Sequence, residues 1–321
     1  MATIKDIAAE AGVGVGTASR ALSGAGHVHP DTKKKIVETA KKYGYVPNQI
    51  ARNFKKQSTK CIALIIPTVI HPFFSNFAYY CEYELYKLGY CLIIVNSQYN
   101  KEKEAVMLEM IKQQRVDGIM FVTHYEHENL DPSLPLVSVD RHLGNGITYI
   151  TSDNYASSCK AVRKLIESGA RKIGCVCGQT KVESETRFRY MAYNDVMAEN
   201  GLEPMLFIKQ FHHGDELSVM REYFDKYPET DALFTGSDML AQAAWSVAHD
   251  RGISVPSRLQ IIGYDGILKT SPKLTVVRQN IAEMARCAVE QLMLRLNGKQ
   301  AKQKVEVPAE LVIGETTKEQ F

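Results

Sequence analysis

From Cys61 onward the chain repeats one unit, a short and almost continuously apolar run followed by a stretch with helical spacing. The runs are CIALIIP, YCLIIVN, VDGIMFV, LPLVSVD, KIGCVCG, DALFTG and LQIIGYD. Helical stretches at 74–88, 101–114, 155–168, 187–200, 216–227 and 239–251 alternate with most of them. Apolar runs without polar alternation belong to strands covered on both faces, as in a parallel sheet flanked by helices. The 261 residues from Cys61 to the end suffice for two such doubly wound lobes. In these lobes ligands sit beyond the carboxyl ends of the strands.

Several polar groups fall at those ends. Asp140 and Arg141 follow PLVSV, Asp153 and Asn154 follow ITYITS, Asp238 follows ALFTGS, and Asp265 follows IIGY. Carboxylates and amides placed this way can take several sugar hydroxyls, with aromatic faces against the C–H side of the ring. His71, Phe73 and Phe74, after the first strand, offer such a face. For any single carboxylate the competing reading is helix capping, since Asp153 and Asp238 both stand where an N-cap would.

The first 57 residues follow a different pattern. Thr3 precedes Ile4, Ile7, Ala8 and Ala11, spaced i, i+3, i+4 and i+7, and Gly12 closes that helix. A GVGV turn leads to a second short helix around 16–22. Pro30 suits the first turn of a third, with Ile36, Val37 and Ala40 inward and Gly44 as its stop. Two short helices across a Gly-containing turn, braced by a third, form a helix-turn-helix. Its second helix enters the major groove. There Arg20 can bond a guanine edge, the Thr17 and Ser19 hydroxyls can reach phosphates or bases, and Val15 can touch a thymine methyl. For Val15 and Ala18 packing against the first helix is the alternative. Gly12, Gly14 and Gly16 imitate the start of a dinucleotide loop, but they follow a helix rather than a strand and reach no further glycine.

Charge supports this division. The net charge of +3 splits into +7 over residues 1–60 and −4 over the remainder, the asymmetry expected when one end meets a polyanion. The chain is 45% hydrophobic and 23% charged, a balance that excludes disorder, collagen and coiled coil. No apolar run approaches the roughly 20 residues that span a bilayer. The opening MATIKDIAAEAG lacks a secretory pattern, so a cytoplasmic protein without membrane contact is expected. Seven scattered cysteines contain no CxxC pair and form neither a disulfide framework nor a zinc finger; most lie in apolar surroundings and are expected to be buried thiols. Cys175 and Cys177 share one strand face. His212 and His213 lack partners at a metal-binding spacing and are read as loop surface. No GxSxG, P-loop or HExxH occurs, so neither an enzyme nor a metal or other cofactor is expected.

The stretches TIKDIAAEAGVGVGTASRALSG and HVHPDTKKKIVETAKKYGYVPNQIAR resemble the DNA-binding head of the lac repressor family. The resemblance implies that Val15, Gly16 and Arg20 read bases, while Thr17, Ser19 and His27 lie near the backbone or groove. Two departures stand out. Gly14 occupies a cap position usually held by Ser or Thr, and Gly16 removes a base-reading side chain at about 1 kcal/mol of helix propensity. The resemblance also makes the amphipathic NQIARNFKKQ, about 47–56, a hinge helix. In that helix Phe54, where the family has Leu, wedges into the minor groove or packs between head and body. Arg52, Lys55 and Lys56 would lie against phosphates.

The body resembles the same family and the periplasmic sugar-binding proteins through HPFF, VDGIMF, RFRYMAY, LFTGSDMLAQAA, IIGYDG, LTVVRQN and PAELVIGET. This implies two lobes of the periplasmic-binding-protein type. The N-terminal lobe is expected at about 61–158 and 280–306, and the C-terminal lobe at about 159–279 and 307–321. Arg189 would pair with ring hydroxyls or a carboxylate, Asp265 would accept hydroxyls, and Asp153, Asp238 and Gln279 would complete the effector site. Three departures appear: Asn280 for Pro, Ala192–Tyr193 for Gly-Phe, both near the pocket, and Gly314 for Arg on a surface strand. Within the family the body is similar to ribose and sucrose operon repressors. The resemblance implies a homodimeric transcription regulator of a carbohydrate operon. Its partners would be double-stranded operator DNA and a small carbohydrate effector. A variant of this reading uses a phosphorylated carrier protein as corepressor.

Overall fold

A computed structural model describes residues 2–23, 27–45, 58–113, 115–127, 130–179, 182 and 184–318. They form two compact units, Met1–Thr59 and Lys60–Phe321. The expected hinge helix, with Arg52 and Phe54, lies outside the described residues, as do the three C-terminal positions.

The first unit has three helices, α1 (Ile4–Ala11), α2 (Val15–Ser23) and α3 (Pro30–Lys42). Thr3 and Asp6 form a reciprocal capping box at the start of α1. Gly12 stops that helix at φ 69°, where an L side chain would be strained, and its N–H returns to the Ala8 and Ala9 carbonyls. Gly14 starts α2 by accepting from the Thr17 and Ala18 N–H groups. Ile7, Ala8, Ala11, Ala18, Ala21, Ile36 and Ala40 make the core, so Ala18 is a packing residue. Glu10 and Lys42 tie α1 to α3 at 3.1 Å.

The second unit holds two six-stranded sheets. Strands β1 (Cys61–Ile66), β2 (Cys91–Asn96), β3 (Gly118–Phe121), β4 (Leu136–Val139), β5 (Thr148–Ser152) and β11 (Lys304–Val307) form the first, in the order β11-β5-β4-β3-β1-β2. Strands β6 (Ile173–Gly178), β7 (Met205–Lys209), β8 (Ala232–Thr235), β9 (Gln260–Asp265), β10 (Thr275–Gln279) and β12 (Ala309–Val312) form the second, in the order β12-β10-β9-β8-β6-β7. The orders are identical once the numbers are shifted, so each lobe repeats the other's winding. All pairings are parallel except β10 with β12.

Helices α4 (Pro72–Lys87) and α10 (Ile281–Leu296) cover one face of the first sheet, with α5 (Lys101–Lys112) against the other. Helices α6 (Asn154–Glu167) and α7 (Arg187–Glu199) cover one face of the second, with α8 (Glu216–Lys226) and α9 (Asp238–Asp250) opposite. The chain crosses between lobes at Asp153, at Asn280 and at Pro308. The first two crossings are helix starts: Asp153 accepts from Ala156 N–H at 3.1 Å and Asn280 from Glu283 N–H at 3.1 Å.

Several details differ from the sequence reading. β7 and α10 were not expected from pattern. β2 is an edge strand, and its Cys91 and Ile94 are exposed instead of covered. Asn280 is the N-cap of α10, a role Pro cannot fill. Ala192 and Tyr193 sit in the core of the second lobe, where the Tyr193 hydroxyl donates to Ile173 O and accepts from Met205 N–H, both at 2.7 Å. Gly314 is not a surface substitution. A Cβ there would stand 2.3 Å from Lys273 O and 2.5 Å from Leu274 O, and its N–H donates to Thr275 Oγ1 at 2.9 Å.

Candidate ligand-binding cleft

The strand ends of both lobes converge on one cavity with two compartments. The inner, of about 140 Å³, is lined by Phe73, Asp140, Arg141, Asp265 and Gln279. The outer, of about 470 Å³, is lined by Tyr99, Tyr125, Gln179, Gln210, His212 and Glu216 among others. His71, Phe74, His124, Thr186, Arg189 and Ser237 face both.

At the centre of the inner compartment Arg189, on α7, is 5% exposed. Its Nε donates to Asn154 Oδ1 at 2.8 Å and its Nη1 to Gly236 O at 2.7 Å. The guanidinium lies 3.6 Å from the ring centre of Tyr264, a cation–π contact that fixes its plane. Asp265 ends β9 at φ 100°, a conformation costly for any residue but glycine and typical of functional sites. Its Oδ1 accepts from Gln279 Nε2 at 2.7 Å. Burial pushes the Asp265 carboxyl up to about 7, with Arg189 opposing and Asp238 adding to the rise. Asp140 holds the corresponding place after β4, again with positive φ, 54°, and its Oδ1 accepts from Thr151 Oγ1 at 2.8 Å. Arg141 donates from Nε to Thr123 O at 2.7 Å, and burial lowers its pKa to about 10.

Six of the eight expected effector residues line the cavity: His71, Phe73, Phe74, Arg189, Asp265 and Gln279. Asp153 is not among the lining residues; it caps α6. Asp238 is the first residue of α9, whose N-cap is Ser237, and it acts from behind. Its Oδ2 accepts from the Ile267 and Leu268 N–H groups at 2.6 and 3.1 Å, fixing the loop after Asp265, and burial raises its pKa.

Sequence reasoning missed the outer compartment. His212 and His213 lie on a loop as expected, His212 exposed and His213 half-buried, and that loop borders the cleft. The His213 ring lies 6.0 Å from that of His71 and its Nδ1 is 3.2 Å from Glu216 Oε1. His212 faces Tyr99 at 5.7 Å, and Tyr99 also faces His124 at 5.3 Å. Recognition of β7 would have placed Gln210–His213 at a strand end. A buried carboxylate holds the loops that carry Tyr99, His124 and Tyr125: Glu104 accepts from Ser97 Oγ at 3.1 Å and Thr123 Oγ1 at 2.5 Å, and lies 2.8 Å from His127 Nε2. Burial lowers His71 to about 4 and His124 to about 3. The Cys175 and Cys177 sulfurs lie 3.7 Å apart, and no metal-holding cluster occurs among the described residues.

In the first unit α2 presents Val15, Gly16, Ser19 and Arg20 outward, with Thr17 half-buried and His27 exposed just beyond. Arg20 lies within reach of Thr17 Oγ1, at 3.4 Å. No helix among the described residues is long and apolar enough to cross a membrane.

A helix-turn-helix head joined to a two-lobed body with a polar cleft is the architecture of a ligand-responsive transcription regulator. Residues 3–48 match the bacterial regulatory proteins of the lacI family, and residues 162–317 match a periplasmic binding protein-like domain. The chain is 31% identical to the ribose operon repressor of Halalkalibacterium halodurans, covering 99% of this chain and 98% of that one. It is 32% identical to the sucrose operon repressor of Streptococcus mutans, over 98% and 99%. The lac repressor dimer bound to operator shares the fold, with a TM-score of 0.86 at 20% identity over 98% and 99% of the chains. The protein belongs to the lacI family of DNA-binding transcription regulators.

Proposed function

We propose that this protein is a homodimeric repressor of a carbohydrate-utilisation operon and that a small sugar in the cleft controls its grip on DNA. The observation that carries the reading is the inner compartment. There a buried arginine, a carboxylate and an amide surround a space faced by Phe73 and Phe74, as hydroxyl recognition with aromatic cover requires. The names of the ribose and sucrose operon repressors support a sugar. Effector contacts are assigned to His71, Phe73, Phe74, Arg189, Asp265 and Gln279, with Asp238 fixing the loop after Asp265 and Asp153 capping α6. Base and backbone contacts are assigned to Val15, Gly16, Thr17, Ser19, Arg20 and His27, and minor-groove contacts to Arg52 and Phe54. Tyr79, Tyr83 and Tyr86 on α4 and Ile94 on β2 form exposed apolar surface that supports a dimer. Each head then reads half of a pseudo-palindromic operator. Nothing in the relatives' names supports a phosphoprotein corepressor.

The test is operator binding by the full chain, at fixed salt, against a panel of sugars, sugar phosphates and purine bases. One sugar should change operator affinity, and the operator should change that sugar's affinity by the same factor. Response to a purine alone, or to nothing in the panel, overturns the reading.

A further inference from the structure

The two compartments differ in size and in chemistry. The inner compartment has about 140 Å³ of space, closed round by Asp265, Arg189, Gln279 and Phe73. The outer 470 Å³ is more than three times larger. A single ring seated on Asp265 and Arg189 therefore leaves the larger compartment unfilled.

The outer lining also has the makings of a ring site. Tyr99, Tyr125 and Phe211 supply aromatic faces, and Gln179, Gln210 and His212 supply hydrogen-bonding groups with both donor and acceptor capacity. What it lacks, among the described residues, is any lysine or any arginine besides Arg189 to hold a phosphate. Arg189 itself is bonded to Asn154 and Gly236 and faces Asp265 in the inner compartment. The outer lining's carboxylate, Glu216, is already matched by His213 Nδ1 at 3.2 Å and Gly214 N–H at 2.8 Å. The walls are thus neutral in sum, amphipathic and wide.

We infer that the effector has at least two glycosidically linked sugar units, one ring held in the inner compartment and a neutral second unit held in the outer by Tyr99, Phe211, Gln179, Gln210 and His212. This rests on the sugar reading above and adds the size class. The inner compartment then supplies general sugar recognition, and the outer decides which glycoside acts.

The experiment is calorimetric titration of the full chain with sucrose, maltose, cellobiose and trehalose, and with glucose, fructose, ribose and glucose 6-phosphate. One disaccharide should bind at least about tenfold more tightly than either of its component monosaccharides. Gln210 is exposed, so Gln210→Ala spares the fold. That variant and Tyr99→Ala should each weaken the disaccharide by about tenfold, the scale of one lost hydrogen bond or ring contact, and leave the monosaccharide within about twofold. Tyr125 donates its hydroxyl to the main-chain oxygen of Tyr99, so Tyr99→Ala keeps that loop contact. Asp265→Asn should abolish both. The inference is overturned if a monosaccharide or its phosphate binds as tightly as any disaccharide, or if both outer variants leave the disaccharide unchanged while Asp265→Asn still abolishes binding. If no sugar of either size binds, the sugar reading falls and this inference with it.

Discussion

Arg189 Nη1 stands 3.8 Å from Asp265 Oδ1 with both side chains buried, close enough to attract and too far to hydrogen-bond. The pair is under-satisfied. Asp265 takes one hydrogen bond from Gln279, and burial holds its carboxyl up at about 7. Hydroxyls placed between the two groups would complete both. Asp265→Asn keeps the shape and removes the charge. Effector binding should be lost, while the melting temperature at pH 8 rises, because the buried charge is the disfavoured state there. Calorimetry and thermal unfolding on one preparation check both halves; a lower melting temperature with intact binding would refute the assignment.

Two histidines give the stability a pH dependence whose sign follows from their burial. Folded His71 titrates near 4 and His124 near 3, against about 6.5 unfolded. The unfolded chain therefore binds more protons, and the stability these groups contribute is fully present above pH 6.5 and lost as pH falls toward 4. Asp265 acts oppositely. Its contribution is fully present below its unfolded value and lost as pH rises toward 7. The melting temperature should fall on acidification from pH 6.5 to 4. His71→Gln should flatten that fall and Asp265→Asn should steepen it. Superimposable profiles for all three proteins would exclude these groups.

Glu104 takes hydrogen bonds from Ser97 and Thr123 and pairs with His127, all inside the first lobe. Glu104→Ala strands those partners and should cost about 3–5 kcal/mol, the range for breaking a buried pair. Glu104→Gln, which retains an acceptor, should cost less yet still weaken effector binding, since the loops bearing Tyr99, His124 and Tyr125 lose their common anchor. Urea unfolding separates the variants. Equal destabilisation by Gln and Ala would show that only the charge matters.

What the sequence discloses, and what it hides, follows from how each signal is written in the chain. The body's architecture was legible because fully covered strands read as apolar runs, and the head because its caps and turn are local. β7 escaped because MLFIK is short, ends in lysine and has half-buried positions; the loop of histidines after it was then not connected with the cleft. The strand-end rule found Asp153 and Asp265 alike, yet one caps a helix and the other faces the cleft, and nothing local separates the two roles. Gln179 and Gln210 follow β6 and β7 directly and fall under the same strand-end rule, the second only once β7 is recognised, whereas Thr186 carries no spacing signal.

Gly314 shows the same limit on the stability side. Its Cβ position is occupied by the Lys273 and Leu274 carbonyls, so Gly314→Ala must push the last segment away from β10. Overpacking of this kind costs about 1–3 kcal/mol, or a melting temperature lower by about 2–4 °C per kcal/mol for a domain of this size. An unchanged melting temperature would mean that the segment is not held there.

On α2 a Cβ at Gly16 would meet nothing within 4 Å, so Gly16→Ala should stabilise the head by about 1 kcal/mol through helix propensity alone. Arg20 is the long side chain exposed on the same helix. With Gly16 contributing no side chain, direct readout by the proposed head–operator contact would rest heavily on it. Arg20→Ala should cost about 1–3 kcal/mol of specific operator affinity and relax discrimination at one base pair, without changing the melting temperature. Competition binding against single-base operator variants decides the role: uniform weakening across all sequences, with a shallower salt dependence, would make Arg20 a phosphate contact instead.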